Sequence, residues 1–169
     1  MFVTNHVLSG VLIGRLLKRR PGTALVAGVA SHLVLDAIPH WGCLRFQPGG
    51  KQRFLKAAKR DGVLGLAAMA SAMLAVERSA RAATLMAMAG AVLLDLDKPS
   101  LHFFGVDPFP PVVQELHRRI QNESPGGMPN ELRFGAAFAV ADLLAVAWGR
   151  QASRGGIGPA RREMSAPTE

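Results

Sequence analysis

The segment GVASHLVLDAIPHW, residues 28–41, indicates the fold class. It belongs to the apolar stretch Thr23–Ile38, which Pro39 terminates because proline cannot continue a helix. Within this stretch His32 and Asp36 are four residues apart, so a helix places both side chains on one face, one turn apart. The segment therefore predicts a helix that carries two ionisable side chains into apolar surroundings.

The rest of the chain repeats this pattern without the period-2 alternation of strands. Four further apolar segments are Val7–Leu17, Gly62–Val76, Ala82–Leu94 and Phe134–Trp148. We therefore expect an all-α fold, a bundle of about five apolar helices in one domain, residues 1–150. Helix-capping residue types at their starts are Thr4 or Asn5, Asp61, Ser79 and Asn130.

Two polar regions complete the predicted organisation. The prolines at 108, 110 and 111 predict a loop over Phe103–Pro111, and Val112–Asn122 follows as a short amphipathic helix. From residue 151 the chain has almost no apolar pattern, so we expect a disordered basic tail over residues 151–169. A signal peptide is not expected, because the positive charges follow the first apolar run instead of preceding it.

Composition favours a membrane-associated protein. Hydrophobic residues make up 49% of the chain and charged residues 19%, which excludes an intrinsically disordered protein. None of the apolar segments reaches the roughly 18 consecutive residues of a confident membrane span. A polytopic protein of short packed helices, a bundle embedded partway in the bilayer and a soluble bundle therefore all stay open.

The net charge of +8 suggests anionic partners. The basic residues are spread over the connections between helices instead of collecting on one helix, which favours anionic membrane lipid over nucleic acid. They lie on both sides of nearly every apolar segment, so orientation by the positive-inside rule is not resolved. We expect a location at a membrane.

His32 and Asp36 are candidates for a metal site. Burying an imidazole and a carboxylate costs free energy unless they are paired or bind a cation. One turn apart, the two side chains can bind the same divalent ion, or they can form a hydrogen bond that satisfies both. A mixed His/Asp set suits zinc, manganese or non-haem iron.

Other ionisable residues lie at the ends of apolar helices, where they can complete such a site. They are His6, His40, Asp61, Asp95 and His117, although Asp61 is equally suited to be a helix cap. The roles of Asp97, Asp142 and Cys43 stay open. One cysteine excludes a disulfide framework and a cysteine-based zinc finger.

The motif Ser-His-x-x-x-Asp-x-x-Pro-His at residues 31–40 carries a resemblance to a known family. With Thr4-Asn5-His6 and the stretch 91–97, it resembles the small bacterial membrane-associated metal-dependent hydrolases. These are in turn similar to zinc-dependent phospholipases C. The resemblance implies that a metal ion is bound by His6, His32, Asp36, Asp61, Asp95 and His117. It places His40 beside these ligands.

The expected function is metal-dependent hydrolysis of a phosphoester or lipid-like substrate. Zinc is the first choice of ion, and manganese or iron are alternatives. His40 is the candidate for proton transfer, because it lies beside the expected ligands but past the proline break. Two alternatives stay open: a non-catalytic polytopic membrane protein whose buried His and Asp residues bind metal or brace helices, and a basic DNA-associated inner-membrane protein.

Overall fold

The computed structural model describes residues 1–42 and 50–155, most of which are helical. The helices are α1 (Val3–Leu16), α2 (Pro21–Ala37), α3 (Gly50–Ala75), α4 (Arg81–Val92), α5 (Asp97–Phe104), α6 (Pro111–Ile120) and α7 (Met128–Gly155). Short 3₁₀ segments flank α4 at Arg78–Ala80 and Leu93–Leu96. Two strands of two residues each, β1 (His40–Trp41) and β2 (Glu123–Ser124), pair in parallel. The predicted all-α class is confirmed.

Helices α1, α2 and α4 form a core in which backbones touch. A Cβ added at Gly28 would overlap the carbonyl oxygen of Ala87, and one at Gly90 would overlap that of Leu25. A Cβ added at Gly10 would lie 2.7 Å from the Cα of Met88. Only glycine allows these approaches, so small residues fix the distances between the three helices.

Helices α3 and α7 flank this core and leave much of their apolar surface uncovered. Ala68, Met69 and neighbouring residues of α3 pack against the buried Val7 and Val11 of α1. On their outer faces Leu74 of α3 is 83% exposed and Trp148 of α7 is 77% exposed. The core therefore covers only one side of each flanking helix.

Two helical runs within residues 1–42 and 50–155 are long and apolar enough to cross a membrane, judged by length and composition. The run Arg78–Phe104 contains 27 residues and Met128–Gly149 contains 22. Half of the most apolar window of the first run is buried, whereas none of the window of the second is. The apolar segment Gly62–Val76, nearly all of which lies in α3, is not one of these two runs.

Several predicted boundaries are wrong. Helix α3 begins at Gly50, so Asp61 lies in its middle and does not open it. Residues 51–60 are mostly good helix formers, such as Lys, Gln, Leu and Ala, and they extend the apolar segment backwards. The predicted caps at Thr4, Asn5, Ser79 and Asn130 lie inside helical segments.

The other boundary differences are smaller. The predicted loop Phe103–Pro111 is shortened at both ends, since α5 includes Phe104 and α6 begins at Pro111. Gly105 follows α5 with a φ of 70°, a left-handed conformation that suits a helix end. Helix α7 continues through residues 151–155, past the predicted start of the tail. Cys43 and the rest of the tail lie outside the described residues.

Candidate metal centre

A buried cluster of histidine and aspartate side chains lies at one end of the three-helix core. Each of four residues there offers one ligand atom, and these atoms lie within 4.8 Å of one another: His32, Asp36, Asp95 and His117. Helix α2 contributes the first two, the 3₁₀ segment after α4 contributes the third, and α6 the fourth. A cluster of this composition could hold a metal ion.

The carboxylate of Asp36 lies at the centre of the cluster, and its side chain is fully buried. Its Oδ2 atom is 3.1 Å from His117 Nε2 and 3.3 Å from His32 Nε2. Its Oδ1 atom is 3.2 Å from His6 Nε2, 3.9 Å from His40 Nε2 and 2.5 Å from the α-amino nitrogen of Met1. Imidazole nitrogens from α1, α2, α6 and β1 therefore converge on one carboxylate.

Two of the rings are oriented by backbone carbonyls. His32 Nδ1 is 2.7 Å from the carbonyl oxygen of Ala91, and His40 Nδ1 is 2.8 Å from that of Ile38. Because a carbonyl only accepts, each Nδ1 must carry the proton, and in the neutral ring Nε2 keeps its lone pair. In metalloproteins such an Nδ1–H···O=C bond commonly fixes the ring for ligation through Nε2.

Some ring nitrogens around Asp36 form no hydrogen bond within the described part of the chain and are therefore available to bind a cation. Both ring nitrogens of His6 and the Nε2 of His40 are buried and have no hydrogen-bond partner among the described residues. An unsatisfied buried polar atom costs about 1–3 kcal/mol. The Nε2 atoms of His32 and His117 are 3.0 Å apart, somewhat less than the separation of about 3.3–3.4 Å between two nitrogens bound to the same tetrahedral zinc ion.

The pKa values of the cluster residues are set by burial and by their contacts with the carboxylates of Asp36 and Asp95. Burial lowers the pKa of His6 to about 4, so its ring is neutral at pH 7. Burial raises the pKa of Asp36, but its interactions with the imidazoles of His117, His32 and His6 outweigh that effect, so the pKa is lowered overall. Burial lowers the pKa of His32, but the hydrogen bond to Asp36 and the negative charges of Asp95 and Asp36 together outweigh that effect, so the pKa is raised overall. Metal ligation needs the neutral ring, so a bound ion would compete with protonation of His32.

The structure brings together five of the six residues expected as ligands. His6 joins the group of four through Asp36 and lies 3.8 Å from Asp95 Oδ2. Asp61 is the exception, because its carboxylate accepts hydrogen bonds from the backbone N–H groups of Val3 at 2.6 Å and Thr4 at 3.1 Å. It caps the start of α1 from the side of α3.

Two charged residues near the cluster have no counterpart among the expected site residues. Glu131 of α7 is 2% exposed and accepts hydrogen bonds from three separate donors. Lys98 donates to Asp95 Oδ1 at 2.6 Å and so orients that carboxylate. The i, i+3 spacing of Asp95 and Lys98 could have indicated their pairing. The residues around Glu131 give no sign of its partners, because these partners are about 90 or more residues away in the sequence.

Comparison of the chain with protein-family models, with curated proteins and with solved structures finds no match. The chemistry of the buried cluster and the apolar surface of the bundle are therefore the observations on which a function can rest.

Proposed function

We propose that this protein is a membrane-associated, metal-dependent hydrolase that acts on phosphoester or lipid-like substrates, with zinc as its ion. The observation that carries the proposal is a buried cluster in which four imidazoles surround the carboxylate of Asp36 and the carboxylate of Asp95 lies beside them. Histidine nitrogens and carboxylate oxygens are donor types that catalytic zinc uses, and manganese or iron are alternatives.

Membrane association is supported by where apolar surface is exposed. Large apolar side chains are exposed on different helices: Val34 of α2, Leu66 of α3, Phe104 of α5 and Leu143 of α7. A docking site for one protein partner would collect such residues in one patch. Exposure on several sides of the bundle suits surrounding lipid, which we place in the bacterial inner membrane.

Four residues would hold the ion: His32, Asp36, Asp95 and His117, with His6 close enough to join them. When bound, a zinc ion supplies hydroxide near neutral pH and polarises a phosphoryl oxygen. Lys98 keeps Asp95 in place through its bond to Oδ1, which leaves Oδ2 directed towards His6.

His40 is suited to move a proton beside these ligands. Its Nδ1–H is fixed by the carbonyl of Ile38, and its Nε2 has no hydrogen-bond partner and lies 3.9 Å from Asp36. A neutral ring held in this way can accept a proton at Nε2 and return it to a leaving group. Its position outside α2, on β1, keeps it separate from the helical ligands.

A phosphate group could be bound by the first half of α3. Lys56, Lys59 and Arg60 are exposed there, and no acidic residue precedes Asp61 in that helix. Asp61 contacts the start of α1. The three cations precede Asp61 in α3, so they lie beyond the end of the core at which the cluster is found. By contrast, Arg118 and Arg119 of α6 are paired with Glu115 and offer less free positive charge.

A non-catalytic metal or helix-bracing site is the second candidate function. One observation favours it: the side chains of His6, His32 and Asp36 are fully buried, which leaves a substrate little access to them. His117 and Asp95, at 5% and 7% exposed, are the members of the cluster nearest the surface. Metal binding without turnover would identify this alternative.

The test is hydrolysis by detergent-extracted protein that has been treated with a chelator and reloaded with zinc. A chromogenic phosphodiester and a short-chain phospholipid serve as substrates. We expect zinc to restore activity, and His40→Ala to keep its zinc but lose about 10²–10⁴-fold in kcat. Glu77→Gln, an exposed position at the other end of the bundle, is the matched control. Zinc-loaded protein that hydrolyses neither substrate would contradict the proposed activity.

A further inference from the structure

We infer that Glu131 is a positioning residue that sets His6 and His40 together against Asp36. The inference rests on the proposed function, because it gives α7 the role of holding two imidazoles at the proposed metal site. Its structural part, the joining of three chain segments by one carboxylate, can be tested separately.

The carboxylate of Glu131 joins segments that are far apart in the sequence. Oε2 accepts hydrogen bonds from the backbone N–H of Phe2 at 3.0 Å and from Asn5 Nδ2 at 2.8 Å. Oε1 accepts from the backbone N–H of Trp41 at 3.3 Å. Asn5 also donates to the backbone carbonyl of Glu131 at 3.0 Å. The bonded residues Asn5 and Trp41 are the chain neighbours of His6 and His40.

Neither of these segments is fixed well by its own local structure. Helix α1 begins after Phe2 without a side-chain cap of its own, so its first N–H groups need acceptors from elsewhere. His40 follows Pro39 and lies on a strand of two residues. A carboxylate at the start of α1 satisfies the free amides and also interacts favourably with the helix dipole.

Asp61 provides a natural comparison, because it holds α1 from the opposite flank. Its carboxylate bonds the backbone N–H groups of Val3 and Thr4 and the hydroxyl of Thr4. Within residues 1–42 and 50–155, none of the hydrogen bonds of Asp61 reaches β1. Removing Asp61 should therefore disturb only the His6 segment, whereas removing Glu131 should disturb the His6 and His40 segments together.

The substitution Glu131→Gln tests this difference with little change in shape. Glutamine keeps one acceptor oxygen and replaces the other with an NH₂ group, which would face N–H donors. Three proteins are compared with the wild type: Glu131→Gln, Asp61→Asn and the distant control Glu77→Gln. The measurements are hydrogen exchange of the metal-free proteins, zinc affinity by chelator competition, and the visible absorption spectrum of bound Co²⁺.

We expect Glu131→Gln to speed exchange in residues 2–6 and in residues 40–42, to weaken zinc binding about 10–100-fold, and to shift the cobalt spectrum. Asp61→Asn should speed exchange in residues 2–6 alone, and Glu77→Gln in neither segment. If Glu131→Gln does not fold, Asn5→Ala takes its place. This variant removes the side-chain hydrogen bond from Asn5 to Glu131 and should speed exchange in residues 2–6.

Two results would overturn the inference. One is wild-type exchange in either segment of Glu131→Gln; the other is a folded Glu131→Gln protein with wild-type zinc affinity and cobalt spectrum. A wild-type protein that binds neither zinc nor cobalt would overturn the metal function, and with it the positioning role. Exchange in the two segments would then still decide whether Glu131 joins them.

Discussion

The two parts of the molecule that supply ligands differ in how they are held. His6, His32 and Asp95 belong to the core of α1, α2 and α4, where backbones touch at glycines. His117 belongs to α6, and it is the one residue of Pro111–Ile120 that is buried. Helix α5, which leads to α6, buries none of the residues Asp97–Phe104. The ligands on α1 and α2 are therefore carried by helices that pack closely against each other and against α4.

Helix α6 is instead held by the site that it completes. His117 Nε2 lies 3.1 Å from Asp36 Oδ2, and Gln121 Nε2 donates to the same oxygen at 3.2 Å. The backbone N–H of Asn122 donates to the carbonyl oxygen of Asp36 at 2.8 Å. Because these bonds all end on Asp36, the position of α6 should respond to whatever that carboxylate binds.

The largest effect should come from Gly90→Ala in the core. Alanine raises helix propensity by about 1 kcal/mol, but its Cβ would overlap the backbone of α2. The helices must separate, so we expect a loss of more than about 3 kcal/mol in the free energy of unfolding. The matched control is Gly62→Ala in α3, where a Cβ meets nothing within 4 Å. It should stabilise the protein by about 0.5–1 kcal/mol. Equal stabilities in denaturant titrations would contradict the packing account.

A smaller, local effect should follow from His117→Ala. Without its buried ring, α6 loses its histidine contact with Asp36 and keeps only those of Gln121 and Asn122 just beyond its end, while the core keeps its contacts. We expect faster hydrogen exchange in residues 111–120 and a loss of about 1–2 kcal/mol in global stability. Zinc should slow exchange in the same residues of the wild type. Exchange that rises equally in α2 and α6 would show that the two regions are not separate.

The smallest effect should come from Asp61→Asn. The substitution weakens a helix cap, so the expected loss is about 1 kcal/mol in the free energy of unfolding. The zinc-dependent rise in melting temperature should be retained, because both carboxylate oxygens already accept hydrogen bonds from Val3 and Thr4. Disappearance of that rise would restore Asp61 as a ligand.

The sequence predicts the local features of this molecule better than the remote ones. The spacing of His32 and Asp36 is a property of one helix, and the structure places both in the cluster. Asp61 has the residue type of a cap and is a cap, but of α1 and not of its own helix. Its partner depends on how α3 packs, which spacing within α3 does not specify. The role of Glu131 is not predictable from the sequence for the same reason, since its partners lie at the start of α1 and in β1.

Helix α3 shows a second reason for the differences. The apolar pattern predicts the half of this helix from Gly62 onward. The half before Gly62 is polar and has no apolar pattern from which a helix could be predicted. Helix propensity alone extends it back to Gly50. Segments found by hydrophobic pattern therefore locate the buried part of a helix better than its ends.

The most direct test of the central claim is thermal melting of chelator-treated, detergent-extracted protein across a range of zinc concentrations. An ion that binds the folded state should stabilise the wild type by about 2.7 kcal/mol at a hundredfold excess over Kd. His32→Ala and Asp36→Ala should lose most of this rise, because each removes a donor at the centre of the cluster. Wild-type melting that ignores zinc and manganese, with both variants about 1–3 kcal/mol less stable in every buffer, would contradict the metal centre and identify a helix-bracing hydrogen-bond cluster instead.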